Sequence, residues 1–235
     1  MNIENKGYSY GNNKGIQYAQ EKYNFDFIII SNPDILVKKI DVKLLYQFND
    51  CILGTLIKSK KGTNQNPYII KNFKFISNFY YKGFKYDKHY YIIITTLFIK
   101  IYREILVFIS KLFKRKTLKS YALHGAFLII PKKIINQFDK LFDENMFLFN
   151  EELVLAEKAK QKGIKSLICL NCIVKHKEDG SMNLSNINIY EQNKKSFLYF
   201  YKKSTIKHKI EFYNHQIRQN SALKNKKSQF RHCPN

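Results

Sequence analysis

Asp34 closes the segment FDFIIISNPD, in which an apolar, β-branched run is broken by Asn32 and Pro33. Proline removes a backbone donor and holds the residue before it extended, so the strand stops pairing and the next carboxylate leaves the sheet at its carboxyl end. Ligands bind at that rim in open α/β sheets, and a carboxylate there suits a hard divalent cation whose other positions go to water and phosphate oxygens. Asn-Pro-Asp is also an ordinary turn. A second acidic feature, Glu151 and Glu152 in FNEELVLAEKAKQKG, opens a helical pattern. Acids there complement the helix dipole, and they are also candidates for general-base work. His176 follows an apolar run in VKHKEDGS, where it is either a ligand or a surface histidine. Finally, KGYSYGNNKGI places glycines at 7, 11 and 15 around Asn12 and Asn13, so backbone amides can approach a phosphate or sugar, or a turn is eased and a helix capped.

The elements that must carry these residues are legible in outline. Ile16, Ala19 and Tyr23 have helical spacing within residues 12–23, and the apolar run that follows predicts a strand covered on both faces. HGAFLIIPKKII predicts another buried strand stopped by Pro131. NEELVLAEKAKQKG predicts a helix with acids in its first turn, lysines in its last and Gly163 as its stop, and IKSLICLNCIVKH returns to a strand. Strand and helix alternate, which predicts an α/β domain with a parallel sheet over residues 1–200.

Residues 89–116 interrupt that alternation. Their longest uncharged run is about eleven residues, against the ~20 needed to span a bilayer. As a helix, Lys100, Arg103, Glu104, Lys111, Lys114 and Arg115 share one stripe and leave a broad apolar face. That face either lies on a membrane surface or packs on the domain. Residues 201–235 form a basic appendage with Glu211 as its one acid, either a solvated tail or a lipid- or partner-binding arm.

The chain carries 41 Lys and Arg against 18 acids, a net +23, which favours an anionic partner. The charge is spread along the chain and no nucleic-acid module is recognisable, so nucleic acid is the weakest partner class. Cys51, Cys169, Cys172 and Cys233 are scattered and no secretory signal is evident, which fits a reducing cytoplasm. CLNC has metal-pair spacing without a second pair, so core cysteines are the better reading.

Taken in order, the glycine/asparagine turn, strand-NPD, HGAF, FNEE and V-x-H-x-x-x-G-S resemble the inverting, family-two nucleotide-sugar glycosyltransferases, in particular bacterial rhamnosyltransferase-like and capsule, O-antigen or cell-wall polysaccharide enzymes. The likeness covers roughly residues 3–182 and implies a partial GT-A fold, with a mixed, mostly parallel sheet flanked by helices. It implies that Asn5, Gly7, Gly11 and Asn13 lie near the nucleotide-diphospho-sugar donor, with Asp34 binding Mg²⁺ or Mn²⁺ that bridges the diphosphate and His176 completing the metal site. It places Gly125 and Ala126 beneath the acceptor, a glycan or lipid-linked glycan. It makes Glu152 the match for the base, with Glu151 as rival. The family's opening strand, helix and strand, which hold the base and ribose, have no counterpart here. The resemblance therefore also implies a separate chain supplying those strands, or a truncated, non-catalytic membrane-peripheral protein. The expected location is the cytoplasm, peripheral at the inner face of the plasma membrane and against its anionic surface.

Overall fold

The computed structural model describes residues 4–178 and 188–205. Residues 1–198 form one unit and residues 199–235 a second. Within the second, residues 199–205 are helical; the rest of the basic appendage lies outside the described residues, as do Gly180 and Ser181 of the histidine motif.

The first unit is built on β1 (Phe27–Ser31), β2 (Ile35–Lys39), β3 (Cys51–Lys58), β4 (Thr117–Ser120), β5 (Phe127–Pro131) and β6 (Lys165–His176). Around the sheet lie α1 (Tyr8–Lys22), α2 (Val42–Gln47), α3 (Lys74–Lys85), α4 (His89–Leu112), α5 (Lys132–Ile135) and α6 (Glu151–Gln161). The strand order is β1-β5-β3-β6-β2, with β4 also on β6.

Apolar residues alternate between two cores, as a sheet covered on both sides requires. Ile52 and Leu56 of β3, Leu128 and Ile130 of β5 and Ile168 of β6 join Ile16 of α1, Val107 of α4 and Leu155 of α6 on one face. Leu53 and Ile57, Phe127 and Ile129, and Cys169 face the other way onto Leu44 and Leu45 of α2. The CLNC segment spans an irregularity in β6, where Thr55 pairs with Cys169 but Leu56 pairs with Ile173. The extra residues keep both Cys169 and Cys172 buried on the α2 side, where the Asp41 amide donates to Cys172 Sγ at 3.2 Å.

Three expectations are corrected. The sheet is mixed but not mostly parallel: β3 and β6 are parallel, whereas β1·β5, β3·β5, β2·β6 and β4·β6 are antiparallel. The reversed direction of β5 matters for the site, because it brings the amino end of one strand to the rim where β1 and β6 finish. The Asn32 amide donates to the Ala126 carbonyl at 2.9 Å across that junction. Second, β1 is not covered on both faces; it pairs only with β5 among the described strands, and Ile29 is 50% exposed. Third, the first helix begins at Tyr8 rather than near Asn12, with Gly7 at its N-cap and no side-chain cap.

The 89–116 segment is helical, as α4 over His89–Leu112, and its inward face mixes apolar and polar groups. Arg103 is buried and donates through Nη1 to the Asn64 carbonyl at 2.6 Å, while Glu104 Oε1 accepts from the Asn64 amide at 2.7 Å. These bonds brace the loop after β3. Val107 joins the core, while most of the aliphatic and aromatic residues of α4 point outward, so this face packs on the domain only in part.

Candidate functional site

A cavity of about 580 Å³ opens at the rim where β1 and β6 end and β5 begins. Asp34, Gly125, Ala126, Glu151, Glu152 and His176, drawn from segments far apart in the chain, all line it.

Asp34 and His176 meet because β2 and β6 pair antiparallel with Ile35 opposite His176. The Lys177 amide donates to the Asp34 carbonyl at 3.0 Å, extending that ladder, and His176 Nε2 lies 3.1 Å from Asp34 Oδ2. On its other side, His176 Nδ1 is 2.9 Å from Gln65 Oε1. Gln65 follows Asn64, so the α4 bonds described above steady the histidine indirectly. Two cis ligands of an ion with bonds of ~2.1 Å stand ~3.0 Å apart, so the Asp34–His176 spacing fits either a direct hydrogen bond or two adjacent positions on Mg²⁺ or Mn²⁺. Among the described residues no cluster of three or more His, Cys, Asp or Glu side chains is placed to hold a metal.

The acid pair is set by an unusual turn. Phe149 and Asn150 both have positive φ, 70° and 62°, and Asn150 serves as N-cap of α6. Consecutive non-glycine residues in this region store strain, on the order of 1 kcal/mol or more each. Surrounding bonds hold the turn: Asn150 Nδ2 donates to Asn193 Oδ1 at 2.7 Å and Tyr68 Oη donates to Asn150 Oδ1 at 3.4 Å. Glu152 Oε1 accepts from the Gly125 amide at 2.9 Å, while Glu152 Oε2 and Glu151 Oε1 have no protein partner. A Cβ on residue 125 would lie 2.7 Å from Glu152 Oε1, so the glycine is what lets the carboxylate sit on that amide.

Burial, together with the charge of Glu152, pushes the Glu151 carboxyl up to about 8. Burial also raises Glu152, opposed by the Gly125 N–H bond. Burial thus raises both of these adjacent acids, and negative charge on Glu152 favours keeping the proton on Glu151. This bears on stability. The unfolded chain releases the Glu151 proton near 4.5 and the folded chain near 8, so unfolding releases protons in this window and stability falls as pH rises through it. Glu151→Gln is therefore expected to stabilise the protein at pH 7 by on the order of 1–3 kcal/mol and to flatten the dependence of urea midpoint on pH between 5 and 8. An unchanged midpoint across that range would contradict the assignment.

The glycine/asparagine segment acts differently from its expected place beside the donor. Gly7 has φ 95°, and a Cβ there would lie 2.3 Å from the Phe147 carbonyl oxygen. The Tyr8 amide donates to that same oxygen at 2.8 Å, and Tyr8 Oη, lining the cavity, donates to the Gly125 carbonyl at 2.7 Å. Asn13 Nδ2 donates to the Phe142 carbonyl and its Oδ1 accepts from the Phe142 amide, both at 3.0 Å. The segment thus ties down the loop leading to Glu151. Asn5, which accepts from the Gly7 amide, Gly11 and Asn13 lie outside the cavity lining.

Sequence reasoning did not single out His124, Tyr8, Tyr68 or Gln65. His124 Nδ1 accepts from the Ala126 amide at 3.1 Å, and burial holds the ring neutral, down at about 3, so its proton sits on Nε2. Its ring meets Tyr68 edge-on at 5.6 Å and His176 at 6.1 Å. The signal available was its position just before Gly125 at the start of a buried strand.

A 69-residue stretch, 27% of this chain, is 35% identical to the low-salt glycan biosynthesis hexosyltransferase Agl10 of Haloferax volcanii. The match covers 22% of that protein's length. No family model matches the chain, and no solved structure matches it.

Proposed function

We propose that the chain is a glycosyltransferase of glycan biosynthesis, moving a sugar with inversion from a nucleotide-diphosphate donor to a glycan or lipid-linked glycan acceptor. The observation that carries this reading is the convergence of Asp34, Gly125, Glu152 and His176 on one cavity, and the local similarity to a hexosyltransferase supports it.

In this mechanism Glu152 removes the proton from the acceptor hydroxyl as that oxygen attacks the anomeric carbon opposite the departing nucleoside diphosphate. The Gly125 N–H holds one carboxylate oxygen, and Oε2, buried and without a protein partner, would receive the proton. Tyr8, bonded to the Gly125 carbonyl, keeps that amide in place. Glu151, protonated, places no second negative charge beside the base. Asp34 and His176 would hold Mg²⁺ or Mn²⁺, which offsets charge on the leaving diphosphate when bound. With two protein ligands, such an ion would leave its other positions open to phosphate oxygens and water.

Calorimetry with UDP and MnCl₂ tests the donor half of this reading without an acceptor. The wild-type protein is expected to bind UDP in a Mn²⁺-dependent manner, and Asp34→Asn to weaken that binding at least about tenfold. Absence of binding to UDP and to dTDP, with or without Mn²⁺, would remove the support for a nucleotide-sugar donor in this cavity.

A further inference from the structure

The outward face of α4 is apolar along its whole length. Ile93, Ile94, Leu97, Ile101, Phe108 and Leu112 are each more than half exposed, and Phe75 and Phe79 of the adjoining α3 extend the patch. Soluble proteins rarely leave so continuous an apolar surface uncovered. The inward face mixes Val107 with polar groups: Thr95, Arg103 and Ser110 are buried, and Glu104 is bonded to Asn64. No helix among the described residues is long and apolar enough to cross a membrane, so this surface lies along whatever covers it.

Charge decides what that is. Residues 71–116 contain eleven Lys or Arg against two acids. Both acids are engaged, Asp87 with Lys194 at 2.6 Å and Glu104 with Asn64 at 2.7 Å. Exposed Lys100 and Lys111 flank the apolar stripe, and Lys114 to Lys116 follow its end. Two copies meeting through this face would bring these cationic fringes together, whereas an anionic lipid surface accepts the apolar stripe and pairs with the fringe. We propose that the α3–α4 face docks the protein, lying flat, on an anionic bilayer.

The chain contains no tryptophan, so Leu97→Trp places a single reporter on the face. In the full-length protein its emission is expected to move to shorter wavelength, and to be quenched by brominated acyl chains, with vesicles of phosphatidylcholine and phosphatidylglycerol. Pure phosphatidylcholine is expected to give a much weaker response, and salt to reduce the anionic one. In co-sedimentation, Leu97→Glu with Phe108→Glu is expected to reduce partition about tenfold or more, with circular dichroism and melting temperature unchanged because both sites already face solvent. Wild-type protein remaining in the supernatant, or the double variant binding as well as wild type, would overturn the proposal. So would a dimer in sedimentation equilibrium that the same variant dissolves, which would assign the face to a second copy. None of these readouts depends on sugar transfer.

Discussion

Replacing Glu152 with Gln is expected to lower sugar transfer about 10²- to 10⁴-fold while leaving the fold intact. The amide keeps the side chain's size and can still accept the Gly125 N–H through its oxygen, so the loss isolates the missing basic lone pair from any change in packing. Transfer would be followed with radiolabelled UDP- and dTDP-hexoses, using permeabilised cells as acceptor, and donor binding measured in parallel by calorimetry. A fall in turnover with unchanged UDP binding is the expected result. Full turnover in Glu152→Gln together with its loss in Glu151→Gln would transfer the role to the neighbouring acid, which the protonation of Glu151 argues against.

The largest effect on stability is expected from Gly7→Ala. The added methyl would meet the backbone of Phe147, an obstacle that cannot rotate away, at a residue whose φ of 95° already disfavours an L side chain. Conformational strain and overpacking together are expected to cost about 2–4 kcal/mol, a large share of the 5–15 kcal/mol typical of a domain, and to lower the melting temperature by roughly 5–12 °C. Gly11→Ala is the matched control, because open space surrounds a Cβ there and the position is helical. Equal melting temperatures for the two variants would show that the close approach of α1 to residue 147 is not what holds the loop before Glu151.

Asp34, Glu151, Glu152 and His176 were legible as candidates because each stands where an apolar run meets a breaker or a helix start, whereas Gly125, and the meeting of all five at one rim, were implied only by the family resemblance. What was not legible depended on partners distant in the chain. CILGTLIK, the central strand, is a short run with a glycine in its middle, and nothing local distinguishes it from a buried turn of helix. The direction of β5 is set by its neighbours β1 and β3, not by its own residues. Tyr8 reaches Gly125 across 117 positions and Gln65 reaches His176 across 111, contacts that periodicity does not encode. The charged stripe of α4 is split: Lys100 and Lys111 are exposed, whereas Arg103 turns inward onto the Asn64 carbonyl, a partner 39 positions away in another element that periodicity does not encode.

The pairing of Ile35 with His176 has a consequence for how faults in folding would reach function. Side chains in a strand alternate between faces, so a slip of one residue between β2 and β6 would carry the imidazole to the opposite side of the sheet from the aspartate. Misalignment of this edge therefore dismantles the Asp34–His176 end of the cavity in a single step, and mutations that merely loosen the short strand β2 should abolish any function of that end well before they unfold the protein.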